Sequence, residues 1–176
     1  MADTREPAVG IQSSQTDHPR PKKANLGCGT DVRDGWLNVD LYDGEGVDET
    51  VDLDDVPWPY PSDSFEFVLM DNVIEHLADR EAALHELHRI VEPGGTVVLR
   101  FPHWNSPGHY TNPQHTKTIT HRTPESEPVA HLFETRSVNV QKVRFGRLLP
   151  DSLALFLSAH VGHVISEVEL VLEVNP

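Results

Sequence analysis

Phe65-Glu66-Phe67-Val68-Leu69-Met70, then Asp79-Arg80-Glu81-Ala82-Ala83-Leu84-His85-Glu86-Leu87-His88-Arg89-Ile90-Val91-Glu92-Pro93-Gly94-Gly95, then Thr96-Val97-Val98-Leu99-Arg100-Phe101, is the stretch that decides the fold. Its first segment is an apolar run with one charge, the pattern of a central parallel strand buried on both faces. Asp79 is suited to cap a helix, and Glu81 sits favourably in the first turn. Ala83, Leu84, Leu87, Ile90 and Val91 fall on one helical face. Glu92-Pro93-Gly94-Gly95 is a helix stop, and Thr96–Phe101 reads as a second buried strand. Strand, helix, tight turn and strand make a βαβ crossover, which is right-handed in nearly all proteins. The class is therefore α/β.

Upstream, Lys23–Leu26 reads as a strand ending at Gly27-Cys28-Gly29, followed by short strands at Trp36–Leu41 and near Glu49–Val51. Val56-Pro57-Trp58-Pro59-Tyr60-Pro61 cannot be helix, because three prolines remove donors and restrict their neighbours. Downstream, residues 102–136 hold five histidines, five prolines and few aliphatics, the composition of a long functional loop or lid. Val138–Phe145 resumes strand character, Asp151 can cap a helix running to about Ile165, and Val168–Val174 is a final strand. Residues 1–21 are polar, contain proline and lack periodicity, so a disordered tail is expected ahead of one domain over residues 22–176. The expected architecture is a Rossmann-like, mostly parallel sheet with an antiparallel terminal strand, in three α/β/α layers. The first crossover helix is expected to be shortened or absent.

Charge narrows the partners. The 176 residues hold 28 Asp plus Glu against 14 Lys plus Arg, a net charge of −14, with lysine at only positions 22, 23, 117 and 142. A basic footprint for nucleic acid is missing, and an anionic membrane surface is disfavoured. A small or cationic ligand fits better; a small-molecule or lipid-like substrate is expected, with the protein a monomer or homodimer. An acidic, lysine-poor composition also suits high salt, where screening relieves self-repulsion. The single Cys28 excludes an internal disulfide. Without an 18-residue apolar run or a signal-peptide core, a cytoplasmic protein is expected.

The candidate chemistry lies at strand ends. Glycines in Asn25-Leu26-Gly27-Cys28-Gly29 permit positive φ and close approach of a ligand to the backbone, and exposed N–H groups at such a turn can hold a carboxylate. The other reading is a plain glycine turn. Asp40 follows Gly27 by 13 positions, at the end of the second strand, where an acid binds ribose hydroxyls in dinucleotide-type sites. The usual gap is about 20 residues with a helix between. Asp31-Val32-Arg33-Asp34-Gly35 is turn-like, and Val32 takes the place of the third glycine of a GxGxxG pattern, which argues against a nicotinamide dehydrogenase. Asp52-Leu53 follows the third strand. It can present a carboxylate and a backbone N–H to an adenine edge, or be a solvated acidic turn.

Together these segments resemble a known family. Phe65–Leu77 is similar to the FDxVxxxxxLEHL signature of class I methyltransferases, Leu84–Gly95 to their LxExxRVLKPGG helix and turn, and Asn25–Gly29 to their LDLGCG loop. The matches span residues 23–102 in order and register. The resemblance implies S-adenosylmethionine as cofactor, with Asn25, Gly27, Cys28 and Gly29 in the loop passing its methionine end. Asp40 would hold the ribose diol, Leu41 would flank the adenine, and Asp52 and Leu53 would face its edge. Asp71 and Asn72 would lie beside the methionine or sulfonium.

Asn112–Thr120 resembles a DPxHxxxFT segment of small members of the group, which puts His115 on the substrate side. His115 is then a general base or substrate clamp, or else a loop organiser or metal ligand. His103, His109, His115 and His121 recur every six residues, which matches no tight metal motif, and no metal is expected. His76 can approach the substrate cleft or order the helix start, and His103 is a further catalytic candidate. Trp104 can stack on a substrate or anchor the lid. The apolar helix Leu153–Leu157 is either core-packed or a substrate wall or dimer patch. The expected activity is methyl transfer to O or N of a small metabolite, sugar or lipid headgroup. The alternative is a non-catalytic methyltransferase-like binding or partner subunit.

Overall fold

In the computed structural model, residues 21–104, 106, 109, 120–127, 129–143, 146–160 and 164–176 are described. Seven strands form one sheet: β1 (Lys23–Leu26), β2 (Leu37–Asp40), β3 (Glu49–Thr50), β4 (Phe65–Asp71), β5 (Val91–Pro102), β6 (Phe133–Lys142) and β7 (Ile165–Val174), in the spatial order β3-β2-β1-β4-β5-β7-β6. β1 to β5 pair in parallel, while β7 runs antiparallel between β5 and β6. The antiparallel strand is last in the sequence yet lies inside the sheet. The fold is Rossmann-like α/β, as expected. Residues 1–20 of the expected disordered tail, and residues 112–119 of the His115 segment, fall outside the described residues.

The helix α1 (Arg80–Ile90) begins where the sequence places it: Asp79 has extended backbone angles, and its carboxylate accepts from the Ala82 N–H at 3.0 Å. Ala83, Leu84, Leu87 and Ile90 are buried in the core with alternate residues of the sheet, including Ala24, Leu26, Val39, Val68, Met70, Val97, Leu99 and Leu170. The helix runs directly into β5. Pro93, Gly94 and Gly95 lie within that strand as a bulge, between the pairings Phe65–Val91 and Phe67–Thr96. A Cβ on Gly95 would stand 2.6 Å from Val91 Cγ1 and 2.8 Å from the Glu92 carbonyl oxygen, so the bulge excludes any side chain there.

Other boundaries shift. β6 starts at Phe133, ahead of the expected Val138, because its alternation of half-buried and exposed residues is too weak to read without the partner strand β7. The second helix, α2 (Asp151–His160), is shorter than expected, and β7 starts at Ile165. Residues 27–36 form turns and contain no helix. Where a crossover helix would cover the sheet, Trp36 packs edge-on against Phe67 with ring centroids 5.3 Å apart, and Lys23 and Arg33 lie over its faces. One aromatic ring flanked by two cations shields this part of the sheet.

The proline-rich segment is clamped to α1. Glu86 is 8% exposed and accepts from the Trp58 N–H at 2.7 Å, while Arg89 binds Glu86 and donates to the carbonyls of Tyr60 and Trp58. The Arg89 hydrogen bond holds the Glu86 carboxyl below its usual range. Trp58 in turn donates its indole N–H to the Leu53 carbonyl at 3.0 Å. The helix thereby anchors the chain that follows β3. The Val56–Pro57 peptide bond is cis.

Candidate functional site

A cleft of about 580 Å³ opens at the carboxyl ends of β1, β2, β3 and β4. That size is ordinary for a small-molecule site, and the position is where open α/β sheets bind ligands. Gly27, Asp40, Leu41, Asp52, Leu53, Asn72 and His76 all line it, so seven of the residues singled out above converge on one space.

Each is placed by its strand. Asp40 ends β2, and its carboxylate accepts from the Gly29 N–H at 2.7 Å and the Tyr42 N–H at 3.1 Å, which ties the glycine turn to the second strand. Both oxygens retain lone pairs for further donors. Asp52 makes a local turn by accepting from the Asp54 N–H at 2.9 Å. Asp54 reaches across the cleft and accepts from the Ala78 N–H at 2.8 Å. Carboxylates on one side and Leu41, Val51, Leu53, Val73 and Leu77 around them suit a flat apolar group that carries hydroxyl and amino donors. An adenosyl group has that chemistry, and the residues present fit it.

The glycine turn departs from expectation. The Gly27 and Cys28 N–H groups both donate to the Val39 carbonyl, at 2.7 and 2.9 Å, and the Gly29 N–H is taken by Asp40. These three donors therefore do not form a carboxylate cradle; they stitch β1 to β2. Gly27 is required for another reason. It has φ +73°, and a Cβ there would come within 2.3 Å of Val73 Cγ2.

Several singled-out residues lie off the cleft wall. Asn25 is 1% exposed and donates to the Asp31 carbonyl, and Cys28 is buried. Asp71 accepts from Arg100 and from the side chain of its neighbour Asn72. His103 is buried beside Trp104, and burial, with His121 and His109 nearby, lowers its pKa to about 4. Of the three histidines proposed for catalysis, His76 lines the cleft, His103 is enclosed, and His115 lies outside the described residues.

The sequence reading missed Tyr42, Val51, Asp54, Val73 and Leu77 in the wall. Asp54 had a legible signal, since it belongs to the same acidic run as Asp52. Val73 had none, because its contact with Gly27 depends on β1 pairing with β4.

A family model described as a methyltransferase domain matches residues 28–99. A curated relative, the ajmaline N-methyltransferase of Rauvolfia serpentina, is 33% identical over 109 residues. That match covers 47% of this chain and 38% of the plant enzyme, so the chain spans well under half the length of that relative. Among solved structures, an S-adenosylmethionine-dependent methyltransferase from Archaeoglobus fulgidus superposes with TM-score 0.60 at 13% identity, covering 88% of this chain and 86% of that one. The [4+2]-cyclase SpnF superposes with TM-score 0.61 at 16% identity, covering 89% and 75%. At these identities the two structures speak to the fold.

Proposed function

We propose that the chain, whose residues 28–99 match a methyltransferase-domain model, is a class I S-adenosylmethionine-dependent methyltransferase, that its cleft binds S-adenosylmethionine and that the protein transfers the methyl group to O or N of a small acceptor. The observation that carries this reading is the convergence of Gly27, Asp40 and Asp52 on one cleft at the carboxyl rim of the sheet. Asp40 receives the ribose hydroxyls. Leu41 and Leu53 flank the adenine, and Asp52 accepts from its amino group. Asn72 and His76, after β4, lie toward the reacting end.

When bound, the cofactor would supply an electrophilic methyl group on its sulfonium. The chain's task is to position the acceptor, exclude water and take the acceptor's proton. His76 is the described histidine placed to do this. Small metabolites, sugars and lipid headgroups are the acceptor classes that an acidic cleft without a basic patch favours. An amine is the one to try first, because the curated relative is an N-methyltransferase.

A second reading is a binding subunit that holds the cofactor without transfer. The missing helix at residues 27–36 favours it, since one wall of the cleft is left to turns. Calorimetry with S-adenosylhomocysteine is the test, followed by incubation with labelled S-adenosylmethionine and acceptor pools. Asp40→Ala should weaken cofactor binding about 10- to 100-fold, the scale of a charge-assisted hydrogen bond lost in a cleft. Unchanged affinity removes Asp40 from the site. Tight binding with no label transferred to any acceptor favours the subunit.

A further inference from the structure

Across the sheet face opposite α1 runs a row of four side chains at one register level: Asp71 on β4, Arg100 on β5, Glu169 on β7 and Asn139 on β6. Arg100 is its centre. It donates from Nη1 to Asp71 at 2.9 Å and from Nε to Glu169 at 2.7 Å, and Asn139 donates to the other Glu169 oxygen at 2.9 Å. Both bonds are charge-assisted and geometrically good. Arg100, Asp71 and Glu169 are nevertheless about 30% exposed, where an ion pair contributes little to stability. The row is better explained by what it orients.

What it orients is Asn72. The second Asp71 oxygen accepts from Asn72 Nδ2 at 2.8 Å. The Asn72 N–H donates to the Arg100 carbonyl at 2.9 Å, and its backbone is left-handed, with φ +54°. Asparagine tolerates this conformation better than other side chains, and here the Asp71 carboxylate and the Arg100 carbonyl hold it from both sides. The polarity of the amide follows as well. A carboxylate held by Arg100 can only accept, so Asn72 must present its NH₂ group to Asp71 and turn its carbonyl oxygen elsewhere. Asn72 also lines the cleft.

The geometry points to Arg100 as a positioning residue: through Asp71 it sets the backbone and amide orientation of Asn72, so that the cleft meets a cationic, hydrogen-bond-donating ligand with an acceptor. This rests on the reading of the cleft as the cofactor site, whose α-ammonium group, present in S-adenosylhomocysteine as well, has that chemistry. Arg100 itself does not line the cleft. Without it, Asp71 and Glu169 repel one another beside Glu167, and Asp71 loses the partner that fixes it.

Arg100→Met, Arg100→Lys, Asn72→Ala and the double variant Arg100→Met/Asn72→Ala test this in the full chain. Arg136→Met is the control, because Arg136 pairs with Glu173 and Glu134 on the same sheet but away from the cleft. S-adenosylhomocysteine affinity is read by calorimetry, and folding by thermal melting. The Asn72 conformation is read in the ligand-free protein by its backbone three-bond NMR coupling and side-chain amide shift. Arg100→Met should weaken binding roughly tenfold, the scale of one charge-assisted hydrogen bond, and move both Asn72 signals. Arg100→Lys should recover part of the affinity, Arg136→Met should lose none, and Arg100→Met should add little in the Asn72→Ala background. Unmoved Asn72 signals, or a loss of equal size in that background, overturn the positioning role. If Arg100→Met does not fold, Glu169→Gln gives the same readouts with the guanidinium kept. Wild-type protein that binds no S-adenosylhomocysteine overturns the cofactor reading, and a wild type that binds as tightly as Arg100→Met overturns this one alone.

Discussion

Gly27 and Glu75 show how much a single residue carries here. Gly27 combines a left-handed backbone with a 2.3 Å approach of any added Cβ to Val73. Gly27→Ala should therefore lower the melting temperature through both conformation and clash. Pairing it with Val73→Ala should recover only the clash, and full recovery would show that φ is not strained. Glu75 is 1% exposed, and among the described residues no other residue hydrogen-bonds its carboxyl oxygens or the buried Nη1 of Arg80. Burial raises its pKa to about 7; Asp71 and Glu167 push the same way, against its backbone hydrogen bond and Arg80. A raised carboxyl favours folding in its protonated form. Its contribution declines as pH climbs from the ordinary value near 4.5 to about 7, and is constant above. Glu75→Gln should match wild type at pH 5 and be more stable at pH 8, by up to about 3 kcal/mol. Equal melting temperatures at pH 8 would contradict a raised Glu75.

Among the elements, α1 does more than complete the βαβ unit. Its buried Glu86 takes the Trp58 N–H, and Trp58 holds the Leu53 carbonyl, so the helix braces a wall of the cleft with which it shares no lining residue. Glu86→Ala leaves a buried N–H and the Arg89 guanidinium without their carboxylate. The expected cost is about 2–3 kcal/mol, since a hydrogen bond to a charged group is lost and a buried donor left bare. Urea unfolding measures it, and a loss below about 0.5 kcal/mol would show that the proline-rich segment holds itself. If the brace works as described, the variant also binds cofactor more weakly than its stability loss alone explains.

At the scale of the whole molecule, net charge dominates. A charge of −14 on 176 residues makes self-repulsion a standing cost to the compact state. Raising salt from 0.1 M to about 1 M shortens the screening length from about 10 Å to about 3 Å. The exposed ion pairs lost in exchange contribute little. The melting temperature should rise over that range by several degrees, at ~2–4 °C per kcal/mol for a chain of this size. A flat or falling curve would remove the case for a high-salt protein. No helix among the described residues is long and apolar enough to cross a membrane.

The amino-acid sequence by itself determined the α/β class, the α1 cap at Asp79 and the strand ends at which Asp40 and Asp52 stand. Those features follow from periodicity, capping and chain geometry over a few residues, which a linear reading captures. Only the tertiary structure decided that the turn N–H groups of Gly27 and Cys28 go to Val39, and that Asp71 leaves the cleft for Arg100. It likewise decided that β6 begins at Phe133 and that His103 is enclosed. Each of these depends on strands paired from distant parts of the chain. The register of a sheet, and not the local pattern, selects which neighbour a side chain meets.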